Sequence, residues 1–403
     1  MMHRFDVIIV GGGAAGFFCA INAAQKNPKL KIAILERGSS VLEKVRISGG
    51  GRCNVTHSCF VASDLVKFYP RGEKELRGPF HTFGANDTIE WFKNQGVALK
   101  TESDGRMFPT TDSSQTIIDC FLSATAKCNI QVLTAQSVQS LFKKDDMWKV
   151  ETKNDQFICE KLVIAAGSNP KLWQMLEEFD HTIVPAVPSL FTFNIKDSRI
   201  KDLPGIASEA QVKVLGTKLT SSGPLLITHW GMSGPAILKL SAWGARILAE
   251  KNYQFKIQVN WLAGQDRDEV EKIIMGLKLS NAKKNVHSHS PFPFPGRLWD
   301  SLTDASGISA DCKWADLNKK QTTALLNELT SGEYQVNGKS TFKEEFVTAG
   351  GVNLKEVNFK TMESKKHENL YFAGEILNID AITGGFNFQN AWTTAFIAAN
   401  SLA

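Results

Sequence analysis

Gly11-x-Gly13-x-x-Gly16 stands directly behind the aliphatic run Val7-Ile-Ile-Val10 and directly ahead of a small-residue stretch with helical spacing, Ala14 to Gln25. A second apolar run, Lys31-Ile-Ala-Ile-Leu35, completes the pattern. Strand, glycine turn, helix and strand within about thirty residues form one βαβ unit, the start of a parallel sheet. Gly11 permits the tight turn, Gly13 lets a pyrophosphate approach the backbone, and Gly16 lets helix and strand pack closely. The amides of the helix start, from Ala14 and Ala15 onward, then point at the phosphates. Glu36 ends the second strand twenty residues after Gly16, placed to accept hydrogen bonds from a ribose, with Arg37 beside it. Together these residues make a dinucleotide site where the glycines alone would make only a turn.

Residues 7 to 25 carry no charge, but Gly11, Gly12, Gly13 and Gly16 interrupt them, so a membrane span or signal segment is not expected. The seven cysteines form no C-x-x-C pair. They read as reduced thiols in a cytoplasmic protein and exclude a disulfide scaffold, a zinc site and a redox dithiol. A net charge of +5 over 403 residues suits an anionic cofactor and falls short of a nucleic-acid footprint. No nucleic-acid or membrane partner is therefore expected, and no metal.

The fingerprint does not separate FAD from NAD, but two further glycine clusters favour FAD. Ile47-Ser48-Gly49-Gly50-Gly51-Arg52-Cys53-Asn54 puts close-packed backbone beside a cation, as a pyrophosphate or a planar ring requires, with Arg52 balancing charge. Cys53 reads as a small packing residue, because no partner cysteine is near. Near the other end, Leu370-Tyr-Phe-Ala373 restores the parallel-strand texture, followed by Gly374-Glu375, Asp380 and Gly384-Gly385-Phe386-Asn387 before a helix from Ala391 to Ala399. Amides at that helix start suit the negative edge of a reduced flavin, and Asp380 suits the ribityl chain or a ribose. Leu162 to Ala166, followed by Gly167, reads as a later strand of the first sheet.

From about residue 187 the texture changes. Phe191 to Ile195, Ala210 to Leu215 and Gln254 to Val259 alternate as half-buried strands. Asp268 to Leu277 and Lys319 to Leu329 are helical, and Asn281 to Pro295 reads as a loop. A nucleotide-binding domain interrupted by a mixed insertion accounts for this order. Within the loop, His287 and His289 read as solvated residues, while Phe292 and Phe294 either lid a site or pin the loop. The Lys365-Lys366 pair reads as a solvated turn. His229 is either a donor to substrate or flavin or a structural histidine at a strand end.

These motifs resemble the BaiN/aminoacetone-oxidase-like family of FAD-dependent oxidoreductases. The matching segments are Gly11 to Gly16, Ser48 to Asn54, Gly105 to Pro109, Thr228 to Pro235, Thr348 to Val352, Thr361 to Ser364 and Gly374 through Ala391. The resemblance implies an α/β fold: a discontinuous Rossmann-like FAD-binding domain (1–186 and 341–403) with an inserted β-barrel-like domain (187–262 and 305–340) and a small helical subdomain (263–304). Two departures alter the pocket's polarity: Asn378 stands where the family usually has an acid, and Asn390 where it usually has an aromatic. The expected activity is hydride transfer between flavin N5 and a small organic substrate, with NADH, NADPH or oxygen as the second redox partner. FAD is expected to be non-covalent. Arg52, Asn54, His229 and Ser233 are the candidates to touch substrate. An FAD-containing RNA-modification protein and a flavin-based sensor are the alternatives.

Overall fold

A computed structural model describes residues 2–288, 290–340 and 347–403. The chain divides into two compact units, Met1–Val187 with Lys343–Ala403, and Pro188–Phe342.

The first unit is built on five parallel strands in the spatial order Gln131–Leu133, Ile32–Leu35, Met2–Val10, Gln156–Ile164 and Leu370–Phe372. Val7 to Val10 and Ile32 to Leu35 are buried throughout, as unbroken apolar runs must be when both sheet faces are covered. Register is set by Val10 opposite both Leu35 and Ile164, and by Phe372 opposite Ile164. The last of the five strands thus comes from the far end of the sequence. Antiparallel strands Met147–Thr152 and Val138–Lys144 extend from Gln156–Ile164.

The helix Ala14–Lys26 packs against the helix Phe386–Leu402 through small residues, and a Cβ added at Gly374 would stand 2.9 Å from that of Ala15. Around this contact Phe18, Trp91, Phe92, Phe121 and Trp392 form one aromatic cluster, with Phe18 and Trp392 centred 5.2 Å apart. Gly16 is required here, since a Cβ would lie 2.0 Å from the Gly11 carbonyl oxygen.

The second unit is an antiparallel seven-stranded sheet in the order Gly332–Asn337, Gln254–Asn260, Ala207–Val214, Thr220–Thr228, Gly231–Ser233, Thr192–Asn194, Lys339–Ser340. Its inner face shares a core with helices Arg267–Ser280, Gly296–Ala305 and Lys319–Ser331, where Phe193, Ile257, Val270, Trp299 and Leu325 are buried.

The loop between the first two of these helices departs from its sequence reading. His287 is not solvated: its Nε2 lies 3.1 Å from the Ile308 carbonyl, and its side chain is largely buried. Phe292 and Phe294 pack on Trp299, so they pin the loop. His289 lies outside the described residues. In the first unit, Lys365 and Lys366 are exposed in a bend, and Lys366 also pairs with Glu356 at 2.9 Å; a largely buried carboxylate needs a cation.

Candidate functional site

The carboxyl ends of three neighbouring strands open on one cavity of the first unit. Val10, Gly11, Leu35, Glu36, Arg37 and Ala166 line it from those ends, and Gln136, Ser137, Val138, Asn169, Lys171 and Leu172 complete it. Ligands of open α/β sheets bind at such ends. Gly11 takes φ +117°, and a Cβ there would meet the Ala165 carbonyl oxygen at 2.5 Å; at Gly13 an added Cβ meets nothing within 4 Å. The room Gly13 leaves at the helix N-terminus is what a pyrophosphate's approach requires. The Glu36 carboxylate is fixed by two amides: Gly12 N–H donates to Oε2 at 2.8 Å and Gly38 N–H to Oε1 at 2.7 Å. Each oxygen keeps a lone pair for a ribose hydroxyl. Arg37 is exposed at the rim.

Gly49, Gly50 and Gly51 all have positive φ, 58°, 68° and 83°, which side chains rarely adopt. Cβ atoms on Gly50 and Gly51 would meet nothing within 4 Å, so this backbone is laid open. Ser48 hydroxyl donates to the Val45 carbonyl at 3.0 Å, shaping the entry to the loop. Cys53 is fully buried, and burial pushes its thiol up to about 12. Arg52 lies 4.0 Å above the Phe108 ring and pairs with Glu102 at 2.6 Å and Asp112 at 3.4 Å. Its charge is therefore balanced within the protein.

Asn54 ties this loop to the C-terminal helix. Its amide donates to the carbonyls of Thr56 (3.0 Å) and Met107 (3.3 Å), and its Oδ1 accepts the Gly385 N–H at 2.9 Å. Gly385, at φ +91°, caps the helix Phe386–Leu402, and a Cβ there would collide with the Thr56 carbonyl oxygen at 2.5 Å. Asn387 bonds Ala381 both ways, Oδ1 accepting its N–H and Nδ2 donating to its carbonyl. The amides of Phe386 and Asn387 are left without intrahelical acceptors, as at any helix start, and a developing negative charge is favoured there. Gly384 (φ +134°) precedes this turn.

Asp380 is fully buried and forms a bidentate pair with Arg71. Glu375 pairs with Lys44 at 2.5 Å and accepts the Thr348 N–H at 3.2 Å. Gly167 faces it: a Cβ there would lie 3.5 Å from Glu375 Oε2. Gly374 donates its N–H to Thr394 Oγ1 at 2.9 Å. His229 and Ser233 belong to the second unit; His229 is exposed, and Ser233 Oγ accepts from Thr192 at 3.0 Å.

Four residues about this helix start went unremarked in the sequence. Arg71 neutralises Asp380. Tyr69 donates its hydroxyl to the Phe386 carbonyl at 2.5 Å. Phe68 and His57 both stack on the Phe386 ring, with centroids 4.3 and 4.7 Å from it. Burial lowers the His57 imidazole, and its Nδ1 is buried without a partner. The Phe68-Tyr69-Pro70-Arg71-Gly72 run, an aromatic pair beside a turn and a cation, signalled three of them, and His57 had no such signal.

Among the described residues no group of three or more His, Cys, Asp or Glu suits a metal ion, and no helix is long and apolar enough to cross a membrane. The backbone opened at Gly13 and at Gly50-Gly51, the amide-fixed Glu36 and the capped helix fit FAD as their common ligand.

The family model described as HI0933-like protein Rossmann domain matches residues 5–401. A ribosomal RNA dihydrouridine synthase of Escherichia coli (strain K12) is 29% identical, over 100% of this chain and 98% of its own length. A 3-dehydro-bile acid Δ(4,6)-reductase of Clostridium scindens is 25% identical, over 100% and 99%. Among solved structures, a 3-ketosteroid-Δ4-(5α)-dehydrogenase of Rhodococcus jostii RHA1 superposes with a TM-score of 0.52 at 13% identity, over 98% of this chain and 97% of that one, which establishes likeness of fold.

Proposed function

Since this chain belongs to the HI0933-like Rossmann-domain family of FAD-dependent oxidoreductases, we propose that it reduces a carbon–carbon double bond conjugated to a carbonyl, and that its substrate is the uracil ring of a ribosomal RNA. One observation carries the reading. Two full-length relatives are named for unrelated substrates, a ribosomal uridine and a bile acid, yet both names describe saturation of such a bond. Bound FAD would supply a hydride from N5, the cofactor's own chemistry.

The chain's part is to hold and polarise. Glu36 would accept the adenosine ribose hydroxyls. The amides from Gly13 to Gly16 would take the pyrophosphate. Asn54, by binding Gly385, would fix the N-terminus of the Phe386–Leu402 helix against the flavin edge that gathers negative charge. Asp380, anchored by Arg71, would meet the ribityl chain. NADH or NADPH would reload the cofactor between turnovers. His229 and Ser233 are proposed as substrate contacts: replacing either should change KM or kcat and leave FAD content intact.

The net charge of the whole chain gave no reason to expect a nucleic acid, but its distribution supports one. Residues 188–342 hold 19 Lys and Arg against 14 Asp and Glu, so the surplus of +5 falls entirely in the second unit. The bile-acid relative favours a second reading, a small conjugated enone as substrate.

The test is direct. Flavin reduced anaerobically with NADPH would be mixed with unmodified ribosomal RNA transcript, and separately with a panel of small enones. Reoxidation and dihydrouridine with RNA alone are expected. Reoxidation by enones alone would establish the second reading, and reoxidation by neither would end the proposal.

A further inference from the structure

Trp230 is 59% exposed at the tip of the hairpin joining Thr220–Thr228 to Gly231–Ser233. The tip is rigid. Trp230 N–H donates to Thr228 Oγ1 at 3.3 Å, and its carbonyl accepts the Ile195 N–H at 2.9 Å. Gly231, at φ +146°, runs so close to the neighbouring strand that a Cβ would stand 2.2 Å from the Phe193 carbonyl oxygen. The largest apolar side chain is thus presented to water on a fixed stem, an arrangement that marks a contact surface more often than a packing defect.

Its surroundings indicate what it contacts. His229 beside it is exposed. Lys196 follows the residue that bonds Trp230 and is exposed, with no ion pair among the described residues. The nearest acid in sequence, Asp197, is already held by Arg199 through bonds of 2.9 and 2.7 Å. The ring is therefore accompanied by a cation, Lys196, that has no ion pair among the described residues. An aromatic face with unpaired positive charge beside it is how proteins hold single-stranded nucleic acid: the ring stacks on a base and the cations meet phosphates.

We propose that Trp230 is a stacking plate for a base of single-stranded RNA, with Lys196 supplying charge and His229 a hydrogen-bond donor for the adjoining phosphates. This rests on the RNA substrate argued above and adds the residue that grips it. A base has two faces and needs no particular edge to stack, so the contact contributes affinity with little sequence preference.

The experiment uses the FAD-loaded full chain and a labelled twelve-nucleotide oligouridylate, followed by fluorescence anisotropy at fixed salt. Trp230→Ala should weaken binding about five- to a hundred-fold, and Trp230→Tyr should stay within about threefold of the natural protein because a ring remains. The natural protein should prefer the oligomer to its abasic counterpart, and Trp230→Ala should lose that preference, which a merely structural role would not remove. Lys196→Ala should flatten the salt dependence by about one phosphate contact. Unchanged binding by Trp230→Ala, failure of Trp230→Tyr to restore it, or no binding of oligouridylate by the natural protein would each overturn the stacking plate. The reductase reading is judged separately, by dihydrouridine formation in ribosomal RNA.

Discussion

At the scale of single residues, the glycines of the fingerprint divide into those the fold needs and those the ligand needs. Gly16 belongs to the fold, because a methyl there would strike the Gly11 carbonyl; Gly16→Ala should lower stability by roughly 1–3 kcal/mol with or without FAD. Gly13 is the one we propose for the ligand. Its φ of −94° is ordinary and its surroundings are open, so Gly13→Ala should leave the apoprotein as stable as before, or slightly more so, while FAD retention falls. Denaturant titration of the apoprotein beside FAD release on dilution separates the two effects. Glu36→Ala should weaken FAD by roughly 1.5–3 kcal/mol, one charge-assisted hydrogen bond, as read by flavin fluorescence on release. Cys53, buried and with its thiol pushed up to about 12, is no nucleophile at neutral pH; acid precipitation should leave the yellow colour in the supernatant, and a yellow pellet would refute this.

At the scale of elements, the N-terminus of the Phe386–Leu402 helix is aimed by residues hundreds of positions away. Asn54 caps it, Tyr69 holds its first carbonyl, and Arg71 neutralises the acid before it. Asp380→Asn leaves Arg71 largely buried beside a neutral amide, so the apoprotein should lose about 3–5 kcal/mol, seen as a lower urea midpoint; an unchanged midpoint would mean the pair is structurally idle. This dependence explains what the sequence disclosed. The glycine fingerprint, the first βαβ unit and the antiparallel alternation of the insertion are local patterns, and the motifs carrying the family resemblance keep their order along the chain. The whole-chain match upholds that resemblance. Partnerships were not legible, because an ion pair such as Arg71 with Asp380, 309 positions apart, leaves no periodicity. For the same reason Arg52 showed its charge but not Glu102 and Asp112, and His287 showed its neighbours but not the Ile308 carbonyl above it.

At the scale of the whole molecule, acid should unfold the protein in two stages through one buried network. His181 is enclosed, Nδ1 against Glu356 at 3.1 Å and Nε2 against Ser364 at 3.0 Å. Burial lowers its imidazole below the ordinary 6.5, against the pull of Glu356. Below 6.5 the unfolded chain binds a proton that the folded chain refuses, so stability declines as pH falls. Burial works to raise the Glu356 carboxyl, but Lys366, Thr182 and His181 outweigh it and hold it near about 2 against 4.5 unfolded. Its contribution is present above 4.5 and is lost as pH falls towards 2. Glu356→Gln should flatten the lower stage, and a variant at His181 the upper one; unfolding midpoints from pH 8 to 3 test both.

The strand Leu370–Phe372 is the last of five parallel strands whose other four lie before residue 165. While the chain is being made, the edge of Leu162 to Ile164 must therefore wait bare for roughly two hundred further residues, about 10–40 s at ordinary rates of synthesis. During that interval the second unit can fold on its own hydrogen bonds, but the helix start proposed to meet the flavin, Gly384 to Asn387, does not yet exist. A ribosome stalled anywhere in the second unit should carry a nascent chain that is colourless and still lacks the partner of Leu162 to Ile164, a natural client for a chaperone. Cofactor capture is then the event that follows release, and the yellow colour reports that synthesis has finished.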